Sequence, residues 1–318
     1  MRVGIVIAAH RMFPKLEGCL RSFQSFLADS NDLIFVDNGS KENIKIWAEE
    51  RFPKITAVRL VANRLFCGGY NAGIGVAIER DCDFVLIVNA DAEVVNPGFV
   101  NELLRTAERW PRAAFIGPLV YFRTPDVVQR TCLKFPGIVR SAAIWLPWRL
   151  YPDYFRGQPG KENIVEVLNG VCVLCRVRAL RELGLMDENM GGYAEDCDWS
   201  WRARERGWLS VFAPVPSVIH HESPSGYEYF SLKTFLQKRN TVYWYLKIGR
   251  RRSAWIYAQA SVALANARLL AAGSNQERQK HRYFFGRLTR AFKGLLGGEP
   301  LGEWFGPPIG PWEIGYEF

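Results

Sequence analysis

Four short apolar runs, residues 3–9, 32–36, 55–61 and 84–88, alternate with helix-like segments at 13–27, 42–51, 72–80 and 97–109. The last of these opens with Pro97, as a helix should. Strands separated by helices imply a parallel sheet covered on both faces. The fold class is therefore α/β, Rossmann-like, with a mainly parallel central sheet flanked by helices. In such sheets ligands bind beyond the carboxyl ends of the strands, so the residues at those ends carry the argument.

The first run ends at Ala8-Ala9-His10, and the second passes into Asp37-Asn38-Gly39-Ser40. The third leads to Asn63-Arg64 and a glycine-rich stretch, Gly68-Gly69-Tyr70-Asn71-Ala72-Gly73, read as a turn before the helix at 72–80. The fourth ends in Asn89-Ala90-Asp91. The glycines form neither a dinucleotide fingerprint nor a P-loop. They can let backbone approach a ligand and expose amides that favour anions. Residues 37–40 also read as a plain turn and helix cap. Asp91, after a buried strand, can hold a hard divalent cation that grips a diphosphate, or it can simply begin the turn before Pro97.

Residues 121–165 are rich in Trp, Pro and Arg and poorly periodic, suggesting irregular structure or a flap. Residues 165–175 read as one buried strand containing Asn169-Gly170. Its Cys172 and Cys175 lack a second Cys pair or a nearby His, and are taken as core. Farther on, Gly191-Gly192-Tyr193-Ala194 precedes Glu195-Asp196-Cys197-Asp198 at the start of a helix. Acids there are either N-terminal helix residues favoured by the dipole or a general-base arrangement. A short strand at 209–213 then leads to His220-His221, two of only four His.

The chain has 318 residues, 48% apolar and 23% charged, which suits one large α/β body plus an appendage. The net charge of +9 is unevenly distributed. Residues 1–232 balance at 27 basic and 27 acidic, residues 233–295 hold 14 basic and one acid, and the last 23 hold four acids and no base. The division expected is 1–227 for the body and 228–318 for a helical appendage with an aromatic, Pro/Gly-rich tail. A basic segment seeks phosphate. No nucleic-acid motif accompanies it, so nucleic acid is not expected as a partner.

Residues 253–272 have the length of a membrane span but contain Gln259, Asn266 and Arg268, which argues against spanning. An anionic membrane surface is one reading, with Arg250, Arg251, Arg252 and the basic residues of 278–293 at the headgroups and Trp244, Trp255 and Tyr257 at the boundary. The other is a helical subdomain packed on the body, or an oligomer contact, with a solvated basic face. Seven irregularly spaced Cys and a first apolar run only one strand long point to a cytoplasmic protein, peripheral on the inner-membrane face if it docks there.

Taken in order, these motifs resemble the inverting family 2 glycosyltransferases with the GT-A fold. The closest look is to the bacterial branch that includes rhamnosyl- and galactofuranosyltransferases of cell-surface polysaccharide assembly. The resemblance covers roughly residues 1–225 and implies a nucleoside-diphosphate-sugar donor, dTDP-rhamnose or a UDP-sugar, and a lipid-linked or polysaccharide acceptor. It implies a donor site of Ala8, His10, Asp37, Asn38, Asn63, Asn71, Asn89, Asp91 and Gly170. It further implies Mg²⁺ or Mn²⁺ held by Asp91 and His220, with Asn89 standing where many relatives have Asp. Asp196 would be the catalytic base, with Glu195 and Trp199 on the acceptor side, although Trp199, Tyr193 and the aromatics of 145–155 read equally well as core. Two rivals are carried. A nucleotidyltransferase would want a basic, glycine-rich loop near the first strand, and a non-catalytic scaffold would have lost its acidic site.

Overall fold

The computed structural model describes residues 1–12, 14–25, 31–137, 154–155, 160–221 and 232–299. The first half runs β1 (Val3–Ala9), α1 (Pro14–Gln24), β2 (Asp32–Asp37), α2 (Ile44–Arg51), β3 (Ile55–Arg59), α3 (Leu65–Glu79), β4 (Phe84–Asn89), β5 (Ala92–Val94) and α4 (Phe99–Arg109). Then come β6 (Ala113–Phe122), β7 (Thr124–Val128), β8 (Cys132–Leu133), β9 (Tyr154–Phe155), β10 (Asn163–Val165), β11 (Val167–Leu168), β12 (Cys172–Arg176) and α5 (Val177–Leu183). The chain continues through α6 (Glu195–Glu205), β13 (Leu209–His220), α7 (Leu232–Lys247), α8 (Arg251–Ala271) and α9 (Asn275–Gly297).

The main sheet is mixed, in the order β10-β13-β6-β12-β4-β1-β2-β3. Its β4-β1-β2-β3 half is parallel, and antiparallel β12 joins it to the parallel pair β6 and β13. Because β1 has β2 on one side and β4 on the other, the strand order reverses there, and a crevice opens at the carboxyl ends. Ala8 lies level with Val36 and with Asn89 across that switch point.

Period-two alternation divides the core between the two faces. Val6, Ile34, Val85 and Ile87 point into one cluster, with α3 residues Tyr70 and Ile74. Ile5, Ile7, Leu33, Phe35, Leu86 and Val88 point into the other, against Leu16, Leu20 and Phe23 of α1 and Phe99 and Leu103 of α4. The first cluster continues without a break into the C-terminal helices through Phe235, Val242, Trp244, Tyr245, Tyr257, Phe284 and Leu288. Thus the expected body and appendage share one core. The 227/228 boundary, the aromatics of 145–153, residues 138–153 and 156–159 of the proposed flap and the tail from 300 lie outside the described residues.

Three expectations are corrected. The glycine-rich stretch is a helix, because α3 starts at Leu65. Its glycines bring the helix backbone against the sheet: a Cβ at Gly73 would lie 2.3 Å from Val6 Cγ1, and one at Gly69 2.8 Å from Asn38 Nδ2. The single strand read at 165–175 is interrupted at Asn169–Val171, where Asn169 Oδ1 accepts from Val171 N and Asn169 N donates to Thr131 O. Conversely, 209–220 is one strand, with register shifts around Pro216 that absorb the missing amide donors of Pro214 and Pro216. All seven cysteines are buried and none forms a disulfide, Cys172 and Cys175 included.

Candidate active site

At the carboxyl end of β4 three side chains converge. His220 Nε2 is 3.2 Å from Asp91 Oδ1 and 3.3 Å from Asn89 Nδ2. The imidazole is held from behind, its Nδ1 donating to Gln129 Oε1 at 3.0 Å. That bond leaves the Nε2 lone pair facing inward, toward the Asp91 carboxylate. Asn89 Oδ1 is buried and has no hydrogen-bond partner. No group of three or more His, Cys, Asp or Glu suited to a metal occurs among the described residues. Asp91 and His220 nonetheless pair a carboxylate with an imidazole, a donor set that fits a hard or borderline divalent ion; Asn89 would add its orphaned oxygen only with the amide turned over, since Nδ2 now faces His220. The strand geometry separates the two histidines: His220 faces this cluster, and His221 points the other way to Glu93 Oε2 at 3.1 Å.

The residues after β1, β2 and β3 form a cross-braced rim. Asn38 Nδ2 donates to Asn63 Oδ1 and to Leu65 O, its Oδ1 accepts from Arg64 N, and its carbonyl accepts from His10 Nδ1. Asp37 is fully buried. One of its oxygens accepts from Ser40 N and the other from Lys45 N, with Arg59 3.4 Å away. In this geometry Asp37 organises the loop and the start of α2, rather than opening onto the crevice as the resemblance implied. Asn71 likewise reaches sideways, exchanging hydrogen bonds with the Met186 backbone and donating to Glu188 Oε1. Glu188 is also paired with Arg64, so the rim is tied to the segment that leads into α6.

That segment carries the acidic pair. Asn89 N donates to Val171 O, and the adjacent Gly170 lines a cavity of about 20 Å³ together with Glu195, Asp196, Phe66, Met186 and Ser200. Gly170 thus sits beside the acids rather than among the donor-site residues it was grouped with. The cavity has room for about one water. Burial raises both carboxyl groups above their usual range, and repulsion from Asp196 raises Glu195 further. Asp196 is the one equipped to ionise, because its Oδ1 accepts from Cys197 N at 2.7 Å while Glu195 Oε2 has no partner. The acceptor-side placement of Glu195 and Trp199 is corrected. Glu195 points into the interior, and Trp199 packs on Phe115 with its N–H donated to Gly184 O.

A group missed from the sequence comes from α7. Arg239, Asn240, Tyr243 and Lys247 lie on one helical face and reach across to the segment before α6. Lys247 bridges Asp187 and Asp198, at 2.7 Å to each. Their spacing of three to four residues was the available signal; it was masked because the aromatic neighbours made the helix look like an ordinary amphipathic one.

The sheet order, the switch-point crevice and the acids at its rim are the arrangement of GT-A glycosyltransferases. Residues 4–184 match the family described as Glycosyl transferase family 2. The chain belongs to that family, and it is a glycosyltransferase. An N-acetylglucosaminyl-diphospho-decaprenol L-rhamnosyltransferase of Mycobacterium tuberculosis is 30% identical over 246 residues, covering 70% of this chain and 76% of the relative. Among solved structures, GalNAc-T7 with UDP, GalNAc and Mn²⁺ aligns with a TM-score of 0.59 at 15% identity, covering 93% of this chain but only 56% of its own. The mannosyltransferase PcManGT of Pyrobaculum calidifontis, with GDP-Man and Mn²⁺, gives 0.51 at 14% identity over 95% of this chain and 87% of its own.

Proposed function

We propose that this glycosyltransferase moves a sugar, L-rhamnose from dTDP-rhamnose or else the sugar of a UDP donor, to a hydroxyl of a lipid-linked N-acetylglucosamine acceptor, with inversion. The observation that carries the reading is the carboxylate pair at the start of α6, Glu195 buried and Asp196 half-buried, in a cavity also lined by Gly170, whose neighbour Val171 accepts a hydrogen bond from Asn89 N on the Asn89–Asp91–His220 rim. The acceptor class follows the rhamnosyltransferase relative.

Asp196 takes the proton from the acceptor hydroxyl as that oxygen attacks the anomeric carbon from the face opposite the nucleotide. A single displacement needs one base and no covalent intermediate. Asn89, Asp91 and His220 would hold Mg²⁺ or Mn²⁺, which supplies Lewis-acid stabilisation of the leaving diphosphate. Asn38, Asn63 and His10 fix the loops that border the nucleotide crevice, and Asn71 anchors the opposite wall.

The enzyme docks peripherally on an anionic membrane through the outer face of α8 and α9. Trp255, at 56% exposure, and exposed Ile256 and Leu270 lie along α8 with Arg252 and Arg268; Arg282, Arg290 and Lys293 line α9. Trp244 and Tyr257, expected at the boundary, are buried instead. No described helix is long and apolar enough to cross a membrane.

The deciding experiment is thermal stabilisation by dTDP-, UDP- and GDP-sugars with and without Mn²⁺, followed by transfer to a polyprenyl-diphospho-N-acetylglucosamine. A ligand at a hundredfold excess over Kd adds about 2.7 kcal/mol of stability. A Mn²⁺-dependent shift with one nucleotide, lost in Asp91→Asn, is expected. No shift with any donor would favour the scaffold reading.

A further inference from the structure

The backbone immediately before Asp196 is strained and completely tied down. Tyr193 and Ala194 both occupy the left-handed region, at φ 64° and 71°, where a Cβ is disfavoured. Two consecutive non-glycine residues persist there only if their surroundings impose it. The source of that constraint is visible in the carbonyls. Asn189 O accepts from Arg239 Nη2, and Met190 O from Arg239 Nη2 and Asn240 Nδ2. Gly191 O accepts from Cys67 N. Gly192 O and Tyr193 O both accept from Asn240 Nδ2, at 2.7 and 2.6 Å. Five consecutive carbonyls thus have donors outside their own segment, and the two hydrogens of Asn240 Nδ2 are shared among three of them. Asn240 is fully buried, and its own Oδ1 accepts from Arg239 Nε, which fixes the amide orientation.

We infer that Asn240 is a positioning residue for Asp196, holding the left-handed Tyr193–Ala194 pair so that the first turn of α6 presents its carboxylate to the acceptor. This rests on the reading of Asp196 as base. The C-terminal helix α7 is then part of what sets the chemistry, beyond packing against the body. Asn240 touches no reacting atom; it acts through backbone whose nearest held carbonyl, Tyr193 O, lies three residues before the base. Misplacing a catalytic group by about 1 Å is enough to lose about a hundredfold in rate.

The test is a kinetic split combined with a backbone rescue. Asn240→Ala is expected to lower kcat roughly 10- to 100-fold with donor KM and the donor-induced thermal shift unchanged. Adding Ala194→Gly, which relieves the left-handed strain, should restore much of that loss. Asn240→Asp keeps the shape and the pairing with Arg239 but removes the donor hydrogens, so it carries the test if the alanine variant does not fold. A wild-type kcat in these variants would overturn the inference. So would a loss of kcat matched by an equal loss of donor affinity and not relieved by Ala194→Gly. Asp196→Asn, measured alongside, separates the two readings. Full turnover there removes the base assignment and this inference with it, whereas lost turnover there beside a normal Asn240→Ala removes only the positioning role.

Discussion

Asp196→Asn removes the proton acceptor while keeping the shape of the side chain. It should lower kcat by about 10²–10⁴-fold with donor binding retained, as read by steady-state kinetics and thermal shift. Because burial raises the Asp196 carboxyl, the acid limb of kcat/KM should lie well above the ordinary aspartate value of about 3.9. Activity should rise with pH through that limb. Glu195 has a different consequence. Its folded pKa is raised by burial first and by Asp196 second, so above the ordinary glutamate value the unfolded chain ionises while the folded one keeps its proton. Stability is therefore present at low pH and declines as pH rises toward the raised value. Glu195→Gln should flatten that slope in urea titrations at several pH values, leaving the acid limb of activity in place. Sequence made the strand-end residues legible because an apolar run that stops at Asn or Asp marks a rim. It did not reveal that Asp37 and Asn38 face the loops they begin, since most of their partners are backbone groups with no residue signature. Asn240 escaped for the same reason: three of its partners are carbonyls some fifty positions away.

Helix α3 offers a paired test of why its glycines are there. Gly73→Ala drives a Cβ into Val6 and should destabilise by about 1–3 kcal/mol in urea unfolding. Gly75, two residues on, has nothing within 4 Å of its Cβ position. Gly75→Ala should therefore stabilise by about 0.5–1 kcal/mol, with the opposite sign on the same helix. The parallel strands and the helices between them were readable because buried strands are uniformly apolar and helices α1 and α4 are amphipathic. The start of α3 was not, because glycine propensity argues for a turn, and only the close approach to β1 and β2 shows why a helix tolerates it. The break at Asn169–Val171 was hidden inside an apolar run, where local sequence cannot distinguish one strand from two.

Residues 233–295 are legible in the sequence as helical and basic, but charge and periodicity alone do not decide between a membrane surface and a packed subdomain. The structure puts part of the charge inside: Lys238 and Arg239 are buried, and Arg287 lies over Phe235 at 4.1 Å. Most of the remaining exposed charge is on α8 and α9, with Lys247 and Arg250 at the end of α7 and in the link that follows it. Charge counts ignore this sorting, which depends on which helical face meets the core. Ending the chain before α7 would expose the buried face around Phe235 and Trp244 and strip the α7 donors from the Asn189, Met190, Gly192 and Tyr193 carbonyls. The shortened protein is expected to lose cooperative urea unfolding. If the exposed face docks on anionic lipid, Arg252→Ala should weaken binding to phosphatidylglycerol vesicles by about 1 kcal/mol, near fivefold, with transfer to soluble acceptor analogues retained. Co-sedimentation at two salt concentrations measures this.

The sealed thiols have a practical corollary. Every one of the seven is shielded by the fold, and burial pushes the Cys82 thiol up to about 11. A thiolate is the reactive species, so the native molecule should be inert to alkylating reagents until it opens. Alkylation followed by mass spectrometry would then act as a clock for local opening, with each cysteine timing its own neighbourhood. Cys67 and Cys197 flank the strained approach to Asp196 and would time its release.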